Sequence, residues 1–152
     1  MLAVFDLDST TIDSSHRQLT STGGTVNLEN WRTHTREQIL KDKELPLASY
    51  MRDCISNSRM RTWICTSRTL KNADYEMLEK HGLDKADVIL SRKEGDSRND
   101  VEFKMAKIKP LLNLPHMREM RKTFFDDRQD IRESMETLGF ICPPPHSWYW
   151  YL

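Results

Sequence analysis

Met1-Leu2-Ala3-Val4-Phe5-Asp6-Leu7-Asp8-Ser9-Thr10 opens the chain, and the reading of this stretch decides the fold. A short unbroken apolar run, Met1 to Phe5, is the pattern of a strand covered on both faces in a parallel sheet. Two aspartates follow at once. In an open α/β sheet ligands sit beyond the carboxyl ends of the strands, which is where Asp6 and Asp8 fall. The two-residue period of an extended chain puts both side chains on one side. Two carboxylates held close repel each other, so the pair calls for a cation or a proton between them. Acid-rich turns after strands are common, and D-x-D alone does not separate a site from a solvated turn.

Working outward, short apolar runs alternate with longer amphipathic stretches. Residues 61–65 (RTWIC), 86–90 (ADVIL), 122–125 (KTFF) and 139–142 (GFIC) read as further buried strands, with helices over 70–81, 101–112 and 128–138 between them. Gly82 and Gly139 stand where a helix C-terminus often takes a glycine. Val101, Met105, Ile108 and Leu112 keep the helical period. This alternation predicts an α/β fold around a central parallel sheet. One segment breaks the rhythm. Residues 13–59 begin with a polar SSHRQLTSTGG run and carry two predicted helices, 28–41 and 47–55, the second preceded by Pro46. Proline is tolerated at a helix start. The segment reads as a small cap-like insertion after strand 1, within a single domain spanning 1–152.

The 152 residues make one domain by length. The 23 Lys and Arg match the 23 Asp and Glu, which excludes the bulk positive charge of a protein that coats nucleic acid, though not a local basic groove. With 38% hydrophobic and 30% charged residues the chain is a soluble globule with a modest core. Cys54, Cys65 and Cys142 cannot all pair, and neither they nor the five histidines show zinc-ligand spacing, so a reducing cytoplasm is expected and a structural zinc is not. No stretch nears the roughly 20 apolar residues of a membrane span, so no membrane is expected among the partners. The apolar start meets Asp6 too soon for a secretory leader. The absence of G-x-x-x-x-G-K-[ST] removes a P-loop kinase.

Two more strand ends bear chemistry. Phe124-Phe125-Asp126-Asp127 again places acids after an apolar strand, and two such clusters in one small domain point to a hard cation held by oxygens, for which Mg2+ is suited. Trp63-Ile64-Cys65-Thr66-Ser67-Arg68 ends a strand in hydroxyls able to hold phosphate oxygens. Lys104 lies inside the 101–112 helix. Alone it would be read as a solvated charge, and only its place in the chain order gives it weight.

DLDST, ICTSR, Lys104 and FFDDRQD resemble, in that order, the four motifs of the haloacid dehalogenase superfamily of phosphotransferases, over nearly the whole chain. The resemblance implies a Rossmann-like three-layer α/β/α architecture. Within the superfamily, SRKEGDSRND (91–100) followed by Lys104, and Asp126-Asp127-Arg128 leading towards Gly139-Phe140-Ile141-Cys142, are similar to the phosphatase domain of phage-type polynucleotide kinase-phosphatases. Ser9 stands where the superfamily usually has glycine, and Thr11 where it has an aliphatic residue. The resemblance implies that Asp6 is the nucleophile that forms an aspartyl-phosphate and Asp8 the general acid/base. Mg2+ would be held by Asp6, Asp8 (through its backbone carbonyl) and Asp126, with Asp127 orienting metal waters or Lys104. Thr66 and Lys104 would contact the phosphoryl group. Thr10, Ser67, Arg68, Arg92 and Arg98 are the expected substrate contacts, with Lys93 at the same mouth.

Superfamily members with large caps enclose small metabolites, whereas open sites admit macromolecular ends. The small insertion therefore favours removal of a 3′-phosphate from a polynucleotide end as the expected activity. A 5′(3′)-nucleotidase or other small-molecule phosphatase remains a competing reading, as does a catalytically silent binding module. Trp31 and Arg32 could touch substrate. The aromatic tail, Trp148 to Tyr151, could stack on bases, pack on the sheet edge or meet another subunit. Oligomeric state stays open.

Overall fold

Every side chain from Leu2 to Phe5 is buried, as an apolar run without alternation requires of a strand covered on both faces. The computed structural model describes residues 1–17 and 34–152. In chain order they form β1 (Leu2–Phe5), β2 (Ile12–Asp13), a 3-10 turn (Ser15–Arg17), α1 (Arg36–Leu40), β3 (Lys43–Glu44) and α2 (Leu47–Ser56). Then come β4 (Arg61–Cys65), α3 (Asn72–Lys80), β5 (Val88–Leu90), α4 (Asp100–Leu112), α5 (Pro115–Arg118), β6 (Lys122–Phe125), α6 (Gln129–Glu136) and a 3-10 helix (Pro145–Tyr151). The main sheet has the order β5-β4-β1-β6, all parallel, and β2 pairs with β3 in a separate antiparallel ribbon. The expected strand over 139–142 is reduced to a single parallel bridge between Ile141 and Thr123.

Strand parity divides the core. Leu2, Val4, Trp63, Cys65 and Phe124 face Ile108 of α4, Met117 of α5, and Ile131 and Met135 of α6. Ala3, Phe5, Ile64 and Phe125 face α2 (Leu47, Ala48, Met51, Cys54) and α3 (Met77, Leu78). Phe5 and Phe125 stack across β1 and β6 with ring centroids 4.8 Å apart. Burying a side chain of this size contributes about 1.5–3 kcal/mol. The architecture is thus three-layer α/β/α, with β1 central.

The segment 13–59 is only partly an excursion from this frame. Helix α2 lies in the helical layer on the sheet, the β2–β3 ribbon follows the turn after β1, and α1 packs against α3. Thr35 caps α1, its side chain accepting from the Gln38 N–H in a reciprocal capping box. Residues 28–33 of the predicted 28–41 helix, Trp31 and Arg32 among them, lie outside the described residues. The tail forms its own 3-10 helix. Its period of three puts Trp148 and Tyr151 on one side, against Phe125, and leaves Tyr149 and Trp150 exposed. Among the described residues no helix is long and apolar enough to cross a membrane.

Candidate active site

Register alone brings the first acids together. Phe5 is paired with Phe125 on one side and with Ile64 on the other, so the next residues, Asp6, Asp126 and Cys65, share one row at the carboxyl edge. The Asp6 N–H donates to the Phe125 carbonyl at 2.9 Å, which carries the pairing one step past the strand. Parity then aims Asp6 and Asp126 at the α4 layer, where Lys104 rises to meet them. Its Nζ donates to Asp6 Oδ1 at 2.9 Å and to Asp126 Oδ2 at 2.6 Å. All three groups are buried, with Lys104 only 2% exposed and Asp126 fully enclosed. Burial alone would lower the Lys104 ammonium, but the two carboxylates outweigh it and raise it above its ordinary value.

Asp6, Asp126 and Asp127 each offer a carboxylate oxygen within 4.8 Å of the others. One ammonium does not balance three acids in so dry a setting. Burial pushes the Asp6 carboxyl well up despite Lys104, with the charges of Asp126 and Asp8 adding to the rise. Asp127 is raised too, by burial and then by Asp126. The donor set, hard oxygens with surplus negative charge, fits a divalent cation such as Mg2+. Thr10 lies against the same acids, its hydroxyl donating to Asp6 Oδ2 at 3.1 Å and reaching Asp127 Oδ1 at 3.5 Å.

Asp8 has different neighbours. Its carboxylate accepts from Arg68 Nε at 3.1 Å, from Arg68 Nη2 in a shorter contact, and from the Ser14 hydroxyl at 2.7 Å. Burial would raise this carboxyl, but the Arg68 charge and hydrogen bonds outweigh it and hold Asp8 below the usual carboxylate range. The mutual repulsion expected of Asp6 and Asp8 is therefore met by two cations, Lys104 for one and Arg68 for the other. The Asp8 carboxylate is not among the clustered metal-facing oxygens.

The turn that follows the two acids is tight. Thr10, Thr11 and Ile12 N–H groups all donate to the Leu7 carbonyl, and Ser9 takes φ +63°. That left-handed backbone explains why glycine suits this position better than serine. Thr11 is buried without penalty because its hydroxyl donates to the Asp6 carbonyl at 2.9 Å.

The remaining expected contacts divide. Thr66 follows β4, buried, its hydroxyl accepting from the Arg68 N–H at 3.1 Å. Ser67 Oγ is buried and has no hydrogen-bond partner among the described residues. Arg68 was expected at the mouth. It is instead 5% exposed and committed to Asp8, Asp42 and Asp74. Arg92 lies over the Phe103 ring and donates to the Ser67, Asp96 and Arg98 carbonyls and to Asp100. Arg98 pairs with Asp96, and Lys93 is exposed. The sequence reading missed Ser14, Arg17, Asp42 and Asp74, which surround Arg68 and Asp8. No periodicity or motif marks them.

A β5-β4-β1-β6 sheet with acids ending β1 and β6, hydroxyls after β4 and a lysine from α4 is the arrangement that the haloacid dehalogenase resemblance implies. Solved structures agree on the fold. A haloacid dehalogenase-like hydrolase from Streptococcus pneumoniae aligns over 99% of this chain and 90% of its own, with a TM-score of 0.62 and 12% identity. A subfamily IA hydrolase of that superfamily from Geobacter sulfurreducens covers 93% and 86%, with a TM-score of 0.60 and 15% identity. A chain of the Pnkp1/Rnl/Hen1 RNA repair complex covers 93% and 41%, with a TM-score of 0.58 and 20% identity.

The family model for the bacteriophage T5 5′-deoxynucleotidase matches residues 1–142, and the chain belongs to that family. The 5′-deoxynucleotidase of Escherichia phage T5 is 34% identical over 84 residues, which is 53% of this chain and 34% of the relative's own length. The match thus spans about a third of that curated relative.

Proposed function

We propose that this single domain is a Mg2+-dependent phosphomonoesterase that removes the phosphate from deoxynucleoside 5′-monophosphates through an aspartyl-phosphate on Asp6. The observation that carries the reading is the convergence of Lys104 on Asp6 and Asp126 beside Asp127, at one rim of the sheet. Asp6, Asp126 and Asp127 would hold the ion, which when bound supplies positive charge against an incoming phosphate anion. At about 4 Å, repulsion between two unit charges is roughly 4 kcal/mol at an effective dielectric of 20.

In the first step an oxygen of Asp6 attacks phosphorus, the P–O bond to the nucleoside breaks, and the departing alkoxide takes the proton that the substrate, bound as its monoanion, has passed to the ionised Asp8. In the second, water gives a proton to Asp8 and attacks phosphorus, the P–O bond to Asp6 breaks, and inorganic phosphate leaves. Lys104, Thr66 and the unpartnered Ser67 hydroxyl stabilise the phosphoryl oxygens. A buried hydroxyl without a bond is costly, and a phosphoryl oxygen would satisfy it.

Family membership supports a mononucleotide over a polynucleotide 3′-end. So does the fate of the basic residues expected around the mouth, since Arg68, Arg92 and Arg98 are all engaged within the protein. Turnover of 5′- and 3′-deoxynucleotides and of a 3′-phosphorylated oligonucleotide, with Mg2+ and with a chelator, tests the reading. The 5′-deoxynucleotides should be preferred and the chelator should stop the reaction. A preference for the oligonucleotide end would restore the polynucleotide 3′-phosphatase. No turnover of any phosphomonoester would leave a binding module.

A further inference from the structure

Asp42 lies between α1 and β3, far in sequence from every motif of the site, and its side chain is fully enclosed. One oxygen accepts from Arg17 Nε and from His16 Nε2, both at 2.8 Å. The other accepts from Arg17 Nη2 at 2.8 Å and from Arg68 Nη2 at 3.3 Å. His81 Nε2 holds the Asp42 backbone carbonyl at 3.0 Å, fixing the main chain as well. On its far side Arg68 donates to Asp74 at 2.9 Å, and Asp74 in turn accepts from the Lys71 N–H at 2.9 Å. The planar guanidinium of Arg68 is thus gripped along its edges, and the edge formed by Nε and Nη2 clasps Asp8 with two hydrogen bonds.

Asp42 neutralises the buried Arg17, to which it is paired at 2.8 Å through both oxygens, but neutralising Arg68 does not require it. Arg68 already has Asp8 and Asp74, and a third enclosed carboxylate carries a desolvation cost of several kcal/mol that an apolar residue would avoid. Orientation does require it. A guanidinium held by Asp8 alone would swing with it, whereas one pinned by Asp42 and Asp74 becomes a fixed fork that sets where the Asp8 oxygens point. Displacing a catalytic group by about 1 Å costs on the order of 10²-fold in rate. We infer that Asp42 is a positioning residue for Asp8, acting through Arg68, so that the short link between α1 and β3 forms part of the acid/base apparatus. The inference rests on the phosphomonoesterase reading above, with Asp8 as proton donor.

The experiment uses the full chain and two simple esters, phenyl phosphate and p-nitrophenyl phosphate, so it does not depend on the natural substrate. Leaving-group release is read in the first turnover, where only transfer to Asp6 counts. Phenolate is the poorer leaving group and needs the proton more. In Asp42→Asn the ratio of the phenyl to the p-nitrophenyl rate should fall about tenfold, a fraction of what a general acid usually supplies. KM should stay within about twofold, because no contact to the phosphoryl group is lost. Equal losses on both esters, or none, would mean that Asp42 serves stability alone and would overturn the inference while leaving the phosphatase intact. If Asp42→Asn does not fold, Arg17→Met loosens Asp42 from its other side and should shift the ratio in the same direction; an unchanged ratio there also overturns it. A wild-type protein inert towards both esters would instead refute the phosphomonoesterase reading.

Discussion

Two buried charge clusters sit side by side at the sheet rim, and they are balanced differently. One gathers Asp6, Asp126 and Asp127 around a single ammonium, Lys104. The other sets Asp8, Asp42 and Asp74 against two guanidinium groups, Arg17 and Arg68, with His16 beside them. Residue types are alike in both, yet burial raises the Asp6 carboxyl above the usual carboxylate range while Arg68 holds Asp8 below it. The number and planarity of the cations make the difference. A lone lysine leaves surplus negative charge that an added ion can meet, whereas paired arginines close the account within the protein and fix geometry instead.

The largest effect should follow from Asp6→Asn, which would remove the attacking oxygen of the proposed mechanism. Turnover should drop by at least about 10³-fold without loss of stability, and residual activity near wild type would break the contrast outright. The stability sign follows from linkage. A carboxyl raised on folding binds its proton more tightly in the native state, so its contribution is present at low pH and lost as pH climbs through the native value. Measured with a chelator, the melting temperature of Asp6→Asn relative to wild type should therefore improve from acid towards neutral pH.

Lys104→Met comes next. It leaves two enclosed carboxylates uncompensated, so turnover should fall about 10²-fold and stability by about 3–5 kcal/mol. Added Mg2+ should raise the melting temperature of this variant more than that of wild type. Equal shifts would show that the first cluster is as self-contained as the second.

A smaller readout is the reactivity of Cys65, which shares the row of Asp6 and Asp126. Burial pushes its thiol up to about 12, against the pull of Lys104, and Cys142 is raised similarly by burial. All three cysteines are buried and reduced. An aromatic disulfide reagent near pH 8 should titrate almost none of them in the native protein and all of them after denaturation. Rapid labelling of native Lys104→Met would show that the acid cluster depends on the lysine for its packing.

The smallest effect belongs to the turn between the clusters. Ser9→Gly relieves the left-handed backbone at φ +63° but frees the unfolded chain, so stability should rise by no more than about 1 kcal/mol, with activity intact. A larger change in activity would mean that the Ser9 side chain has a role of its own.

What could be read from the sequence follows the same divide. The strands that carry the acids were legible because burial on both faces demands an unbroken apolar run, and register then placed Asp6 beside Asp126. Lys104 was legible only through motif order, since nothing local distinguishes it from a surface lysine. Of the second cluster only Asp8 was legible. Arg68 was read as a phosphate contact, and Asp42 and Asp74 passed as loop and helix-start acids, because their roles arise from distant segments meeting. The strand expected over 139–142 shrank to one bridge at the sheet edge, where an apolar run has fewer contacts to satisfy.

The aromatic 3-10 helix lies beyond residue 142, where the family likeness stops, yet Trp148 and Tyr151 roof the rings of Phe125 and Tyr50. Kinship and solvent thus draw the border of this molecule in different places. A shortened protein ending at Cys142 would keep every acid and base of the rim but leave those rings wet, and its failing would be stickiness rather than idleness. The closing residues are a lacquer over the seam next to the acid-lined rim, and any minimal version of the protein has to carry them.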